Sequence, residues 1–312
     1  MKRDSPLHER TPCWESRPLR GILGVPVFLK MEALQPVGSF KIRGMGAACR
    51  HAIDRGARRL VSSSGGNAGY AVAYAGRRLG APTTVVVPGR ASARARDLIR
   101  GEGAEVIQHG DAWDDSHAYA TELARKLDGA YIHPFDDPVV WAGHATMMHE
   151  IAEAGIRPGY VVVSVGGGGL LCGVMQGMHD AGWTDVPVLA TETRGADSFA
   201  ASVAAGHLVT LDGITSIATT LGARTVAPEA LAWTRRHEII PWVVTDHSAV
   251  QACLRFADDH RVLVEPACGA ALAAVYEQAG PLMGCASVLV IVCGGAGTTR
   301  ELLVEWQRQV KL

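Results

Sequence analysis

Short runs of β-branched and apolar residues, each closed by glycine or a small polar residue and followed by an amphipathic stretch, recur along nearly the whole chain. No other feature constrains the fold as much, because strands that alternate with crossover helices build a parallel sheet covered on both faces. The expected fold class is α/β. Strands are expected at 25–29, 59–62, 83–87, 105–108, 131–133, 160–165, 188–191, 240–244 and 288–292, too many for one small sheet. Between 59 and 133 the strand-turn-helix units are compact and of similar length, and the turn cluster Asp136-Asp137-Pro138 follows them. This predicts a small domain over 42–136 inserted into a large domain made of 1–41 and 137–312, with a cleft between them.

Composition narrows the partner. Thirty Lys+Arg stand against 31 Asp+Glu, a formal net charge of -1, with no block of like charges to serve as a footprint on nucleic acid. No apolar run approaches the ~20 residues that span a bilayer, so no membrane segment is expected. The N-terminal stretch has no apolar core behind its early charges and does not read as a secretory signal. Seven cysteines, at 13, 49, 172, 253, 268, 285 and 293, form an odd set without a C-x-x-C pair, which fits neither a disulfide framework nor a zinc site. Free thiols point to the reducing cytoplasm, and the expected partner is a small molecule.

Four strand exits carry the residues that chemistry would use: Gly38 to Lys41, Ser62 to Gly69, Gly166 to Gly169, and Cys293 to Gly295. Ligands of open α/β sheets bind outside the carboxyl ends of strands. Four glycines in a row before a helix let several backbone N–H groups converge, a geometry that holds a phosphate dianion. A dinucleotide fingerprint fails on spacing, because Leu171 or Cys172 stands where G-x-G-x-x-G needs its last glycine; a P-loop fails for lack of Gly-Lys-Ser/Thr. Only five of the 30 basic residues are lysines, and Lys41 alone follows Gly-Ser-Phe at a helix start, where a Schiff-base amine could be held nucleophilic. Taken alone it also reads as a surface lysine. Ser63, Ser64 and Asn67, with Gly65, Gly66 and Gly69, suit a carboxylate and a phenolic oxygen, and taken alone read as a helix cap. An amine nucleophile, a phosphate cradle, an anion loop and a thiol at a strand end together fit pyridoxal phosphate.

Five segments, in order, carry a resemblance over nearly the whole chain: Gly38-Ser39-Phe40-Lys41-Ile42-Arg43-Gly44, Ser63 to Gly69, Ser164 to Gly173, Val264 to Ala270, and Val290 to Gly295. They resemble the serine/threonine dehydratases of the tryptophan-synthase-β-like, fold-type-II pyridoxal-phosphate enzymes, and Phe135-Asp136-Asp137-Pro138 and Gly222 resemble the animal-type serine dehydratase branch. The resemblance implies two open, twisted, mainly parallel sheets flanked by helices, with cofactor and active site in the cleft. It implies that Lys41 binds the cofactor as an imine and later moves the Cα proton, with Phe40 stacked on the ring. Asn67 would hold the phenolic oxygen, Gly166, Gly167, Gly168 and Gly169 the phosphate, and Cys293 the pyridine nitrogen. Ser63, Ser64, Gly65, Asn67 and Ala68 would grip the substrate carboxylate.

By the same resemblance a monovalent cation, K+, would sit near Glu192, Ala196, Ser198 and Leu221, and the chain would pair as a homodimer. The implied reaction is loss of water from L-serine or L-threonine, giving an oxo acid and ammonia, with the cofactor phosphate protonating the leaving hydroxide. Gly65 stands where related racemases carry a serine, which makes racemisation minor and is expected to enlarge the pocket. Thr220 would face Phe40 across the ring. The alternatives are β-replacement of the cysteine synthase type, a nicotinamide oxidoreductase, and a cofactor-free interaction protein.

Overall fold

The glycine-punctuated alternation becomes ten strands and twelve α-helices among the described residues, 5–311, of a computed structural model. The chain opens with β1 (Cys13–Glu15), α1 (Arg17–Leu23) and β2 (Val27–Lys30). It continues through α2 (Lys41–Asp54), β3 (Leu60–Ser63), α3 (Asn67–Leu79), β4 (Thr83–Val87), α4 (Ala93–Gly101), β5 (Glu105–Gln108), α5 (Trp113–Lys126) and β6 (Ala130–Ile132). After α6 (Pro138–Glu153) come β7 (Tyr160–Ser164), α7 (Gly169–Asp180), β8 (Val188–Thr193), α8 (Ser198–Ala205) and α9 (Pro228–Trp233). The chain ends with β9 (Ile239–Val244), α10 (Asp246–His260), α11 (Pro266–Tyr276), β10 (Val288–Ile291) and α12 (Arg300–Gln309).

Two compact units result. One holds residues up to Glu9 and Gln35–His144; the other holds Arg10–Leu34 and Ala145–Leu312. The division departs from the 42–136 expected for the small domain, and the reason is packing. Leu7 and Val37 pack with Ile42, Met45 and Cys49 of α2 and Ala71, Val72 and Ala75 of α3, and Val140 of α6 joins the same cluster, so 35–41 and α6 as far as His144 go with the smaller sheet. That sheet is parallel throughout, ordered β5-β4-β3-β6. Its other face is covered by α5, through Ala120 and Ala124 against Val61 and Val86. Strands buried on both faces read as unbroken apolar runs, and Thr83–Val87 is such a strand. Each fully buried valine in it contributes about 1.5–3 kcal/mol.

The larger unit carries a six-stranded sheet ordered β1-β2-β10-β7-β8-β9, parallel except for β1. β1 pairs antiparallel with β2, Cys13 opposite Lys30. Lys30 itself is buried, donating to the Thr11 carbonyl at 2.7 Å and paired with Glu150. Helix ends follow their local chemistry: Ser92, Thr245 and Thr299 accept from the amides of Ala95, Ser248 and Leu302, and Gly80 and Gly206 close α3 and α8 in the left-handed region. Among the described residues no helix is long and apolar enough to cross a membrane.

Candidate active site

Each sheet reverses its direction of growth once. In the smaller sheet the chain steps from β3 to β4 to β5 and then returns to the far side of β3 for β6; in the larger, β7 leads to β8 and β9 while β10 lies on its other side. Loops leaving the carboxyl ends of strands at such a reversal diverge, and the crevice between them takes ligands. Within each sheet, residues singled out in the sequence lie at these exits. Ser63 to Asn67 follow β3 and His133 to Pro138 follow β6; Gly166 to Gly169 follow β7 and Cys293 follows β10.

In the smaller unit Lys41 is the first residue of α2, after Phe40 at a cap position with no side-chain hydrogen bond. Its Nζ donates to the Pro134 carbonyl at 2.7 Å and stands 5.2 Å from the centre of the Phe40 ring. That carbonyl belongs to the turn after β6, which is fixed by His133: Nδ1 accepts from the amides of Asp136 at 2.8 Å and Phe135 at 3.3 Å. Accepting there requires a bare nitrogen. Burial, followed by the nearby His117 and the Lys41 charge, pushes His133 down to about 4 and keeps it neutral. Behind Phe40 lies His144, 4.8 Å between ring centres, fully buried with neither nitrogen hydrogen-bonded. Burial, then the charges of Lys41 and Arg43, holds it well below the usual histidine range, so it backs Phe40 as a neutral ring.

Asn67 and Ala68 open α3 behind Gly66, which supplies no side-chain cap to the first-turn amides. Ser64 Oγ accepts from the Gly66 amide at 3.3 Å. Ser63 is fully buried, with its carbonyl held by Trp113 Nε1 at 2.6 Å. Gly65 departs from the expectation of an enlarged pocket. A Cβ built there would lie 2.8 Å from the Ala91 methyl and 3.5 Å from Val87, so the glycine makes room for Ala91 and opens no space on that side.

In the larger unit two glycines of the turn, Gly166 and Gly168, are crowded where a side chain would start. A Cβ on Gly166 would lie 3.0 Å from the Leu221 backbone, and one on Gly168, at φ +89°, would lie 2.7 Å from Ala230 Cβ and 2.9 Å from Val226. The Gly167 carbonyl accepts from the Ala227 amide at 3.0 Å, and Gly168 caps α7 without a side chain, leaving the helix's positive end open to an anion. Cys293 is buried at the end of β10. The adjacent Cys268 thiol, then burial, raises it well above the ordinary thiol range and keeps it protonated, against a smaller opposing effect of the Ser164 hydroxyl. Thr220 Oγ1 donates to Glu265 Oε1 at 2.7 Å.

The residues proposed for a cation also lie in this unit. Glu192 is buried at the end of β8, its two oxygens accepting from the amides of Phe199 at 2.9 Å and Ala200 at 2.8 Å at the start of α8. Burial pushes it up to about 8 against those two bonds. Ser198 Oγ is buried with no hydrogen-bond partner, and Ala196 and Leu221 are buried as well.

Sequence reasoning passed over a cluster beside the β3 exit: Trp113 and His117 on α5, and Tyr131, His133 and Phe135 on and after β6. The signal was present as an i,i+4 aromatic pair on a helix and an i,i+2 series along a strand, spacings that put each set on one face.

The pattern of the family described as "Pyridoxal-phosphate dependent enzyme" matches residues 5–294. The chain is 48% identical over 320 residues to "L-serine dehydratase/L-threonine deaminase" of Homo sapiens, covering 99% of this chain and 98% of that protein. It is 48% identical over 314 residues to "Serine dehydratase-like" of Mus musculus, covering 98% and 95%. Among solved structures, a fungal L-serine ammonia-lyase from Rhizomucor miehei superposes with a TM-score of 0.91 at 37% identity, covering 98% of this chain and 99% of that one. Maize serine racemase superposes with a TM-score of 0.89 at 27% identity, covering 99% and 94%. Matched from its fifth residue nearly to its end, in sequence and in fold, the chain belongs to the pyridoxal-phosphate-dependent enzymes.

Proposed function

We propose that this enzyme removes water from L-serine, and from L-threonine, to give pyruvate or 2-oxobutanoate and ammonia. The observation that carries the reading is the Cys293 thiol, held protonated at the end of β10. A neutral partner there, instead of a carboxylate, suits prompt loss of the β-substituent over prolonged deprotonation at Cα. Near-half identity from end to end with relatives called serine dehydratases supports it. The cofactor fits on structural grounds: a turn crowded against a Cβ at Gly166 and Gly168, at an uncapped helix start, suits a phosphate, and a neutral buried thiol suits a pyridine nitrogen.

Pyridoxal phosphate, when bound, supplies an aldehyde that condenses with amines and a ring that draws electrons from Cα. The backbone amides of Gly166 to Gly169 would hold its phosphate. Phe40, backed by His144, would lie against the ring, and Asn67 would donate to the phenolic oxygen. Lys41 Nζ would be the amine that holds the aldehyde and, once free, the base for the Cα proton. Ser63, Ser64, Gly65, Asn67 and Ala68 orient the substrate carboxylate. Gly65 offers no group that could return a proton from the opposite face, which favours elimination over racemisation.

We further infer a potassium ion held by Glu192, Ala196, Ser198 and Leu221, supported by the Ser198 hydroxyl, which is buried without a partner. A homodimer and a cytoplasmic location complete the reading; the seven free cysteines support the reducing compartment. The test is oxo-acid release from L-serine, L-threonine and their D-isomers, with and without potassium, alongside borohydride fixation of the cofactor and peptide mapping. Oxo acid from the L-isomers and fixation at position 41, both lost in Lys41→Ala, are expected. Absence of oxo acid from all four substrates would overturn the proposal.

A further inference from the structure

The hydroxyl of Ser63 is the end of a three-member chain that the reaction described above does not use. Ser63 Oγ lies 2.5 Å from Tyr131 OH, and Tyr131 OH lies 2.6 Å from His117 Nδ1. The members come from three elements, β3, β6 and α5, and ring contacts lock them: His117 stacks on Trp113 at 4.9 Å and meets Tyr131 edge-on at 5.3 Å, while Trp113 also holds the Ser63 carbonyl. Burial raises Tyr131 to about 12, so the phenol keeps its one hydrogen throughout the working pH range.

One hydrogen between two neighbours gives the chain a direction. With His117 Nδ1 bare, Tyr131 donates to His117, the Ser63 hydrogen is committed to Tyr131, and Ser63 shows only lone pairs elsewhere. With a proton on Nδ1, His117 donates to Tyr131, Tyr131 donates to Ser63, and the Ser63 hydrogen is released toward the substrate loop. An anionic carboxylate is repelled by the first arrangement and bonded by the second.

We propose that His117, acting through Tyr131, sets the direction of this chain and thereby determines whether the Ser63 hydroxyl donates to the substrate carboxylate, which makes His117 a positioning residue for that carboxylate. The proposal rests on the reading that the 63–68 loop holds the carboxylate. By reciprocity, a carboxylate that is bound better when Nδ1 carries a proton must also raise the affinity of His117 for that proton. The groups facing His117 are Asp114 on its own helix, which favours the charged form, and Tyr131 and His133 from the β6 side, with Lys41 adjoining His133. Burial outweighs Asp114 and leaves His117 below the usual histidine range, so near neutrality the ring is uncharged, and the first arrangement is its tautomer with the proton on Nε2.

The experiment has two arms, both on the holoenzyme. In the first, the His117 Cε1 proton resonance, assigned by its loss in His117→Phe, is titrated with pH with and without L-alanine, which carries the carboxylate and amine but no β-hydroxyl to lose. The midpoint should rise by about one pH unit with L-alanine, equivalent to tenfold tighter binding to the protonated form, and should not move in Tyr131→Phe. In the second, KM for L-serine is followed from pH 5.5 to 8.5. In the wild type KM should climb as His117 loses its proton. In His117→Phe, Tyr131 has only Ser63 to donate to, so KM should stay flat and fall several-fold below the wild-type value at pH 8, with kcat moving less.

A merely structural His117 would give the reverse, a raised KM with the wild-type slope retained, and that result overturns the proposal. So does a midpoint indifferent to L-alanine in an enzyme that forms oxo acid from L-serine. If no oxo acid forms at all, the dehydratase reading fails separately, and a midpoint that still shifts with L-alanine sustains the chain as a carboxylate-sensing device.

Discussion

The turns after β3 and β7 occupy the same topological position, each at the reversal point of its own parallel sheet, yet they are built in opposite ways. The β7 turn is defined by shape: Leu221, Val226 and Ala230 fill every direction in which Gly166 or Gly168 could grow a side chain, and titratable groups are absent from those contacts. The β3 turn is defined by polarity: Ser63 and Ser64 carry hydroxyls, and Ser63 leads into phenol and imidazole groups. A phosphate of fixed size and charge is recognised by a rigid ring of amides. A substrate that must enter and leave is better served by hydroxyls whose hydrogens can turn.

That contrast breaks most readily at Gly168. Gly168→Val puts a branched side chain at positive φ against Ala230, and strain plus overpacking of about 3 kcal/mol should weaken cofactor binding by roughly 100-fold, read by absorbance titration with pyridoxal phosphate. Ser64→Ala should leave that titration unchanged and raise KM for L-serine by roughly tenfold, the loss of one hydrogen bond to a charged group. If both variants altered cofactor affinity alike, the division between a shape site and a polarity site would be wrong.

Gly65→Ala drives a methyl to within 2.8 Å of Ala91 and should raise KM roughly threefold to tenfold. The double variant Gly65→Ala/Ala91→Gly should recover most of that loss, and a double-mutant cycle on KM measures the coupling. The smallest effect is on stability against pH. His133 is depressed to about 4, so its contribution is complete above pH 6.5 and disappears as pH falls from 6.5 to 4. Glu192 is raised to about 8, so its contribution is complete below pH 4.5 and disappears as pH climbs from 4.5 to 8. Hydrogen exchange should therefore show β6 loosening on the acid side and β8 on the alkaline side. His133→Phe and Glu192→Gln should each flatten one limb, by roughly a few degrees in melting temperature.

The strands of the fold were legible where a β-branched run stands between turn residues. Thr83–Val87 and Glu105–Gln108 have the bounds their sequence suggests, because β-branched runs between turn residues fit little else. β1 was not legible: Cys13-Trp14-Glu15 is three residues long and held by its antiparallel partner β2, a tertiary cause that local pattern does not carry. The expected small domain, 42–136, already held α2 from Ile42 onward; it stopped short of Val37 and Val140, which join the α2 cluster through contacts that local pattern does not carry. At the site, the glycines, Lys41 and Cys293 stood out because chemistry restricts their type and place. His117 and Tyr131 did not, because their roles come from a meeting of α5, β6 and β3 that only folding brings about.

Lys30 differs from Lys41 in one respect that experiments can exploit. Sealed beneath β1 and bonded to Thr11 and Glu150, its amine is inaccessible to acylating reagents while β2 stays in place. Mass-spectrometric footprinting would thus find this lysine blank in the native chain and labelled once the edge of the larger sheet opens, giving the protein a built-in reporter of its own unravelling.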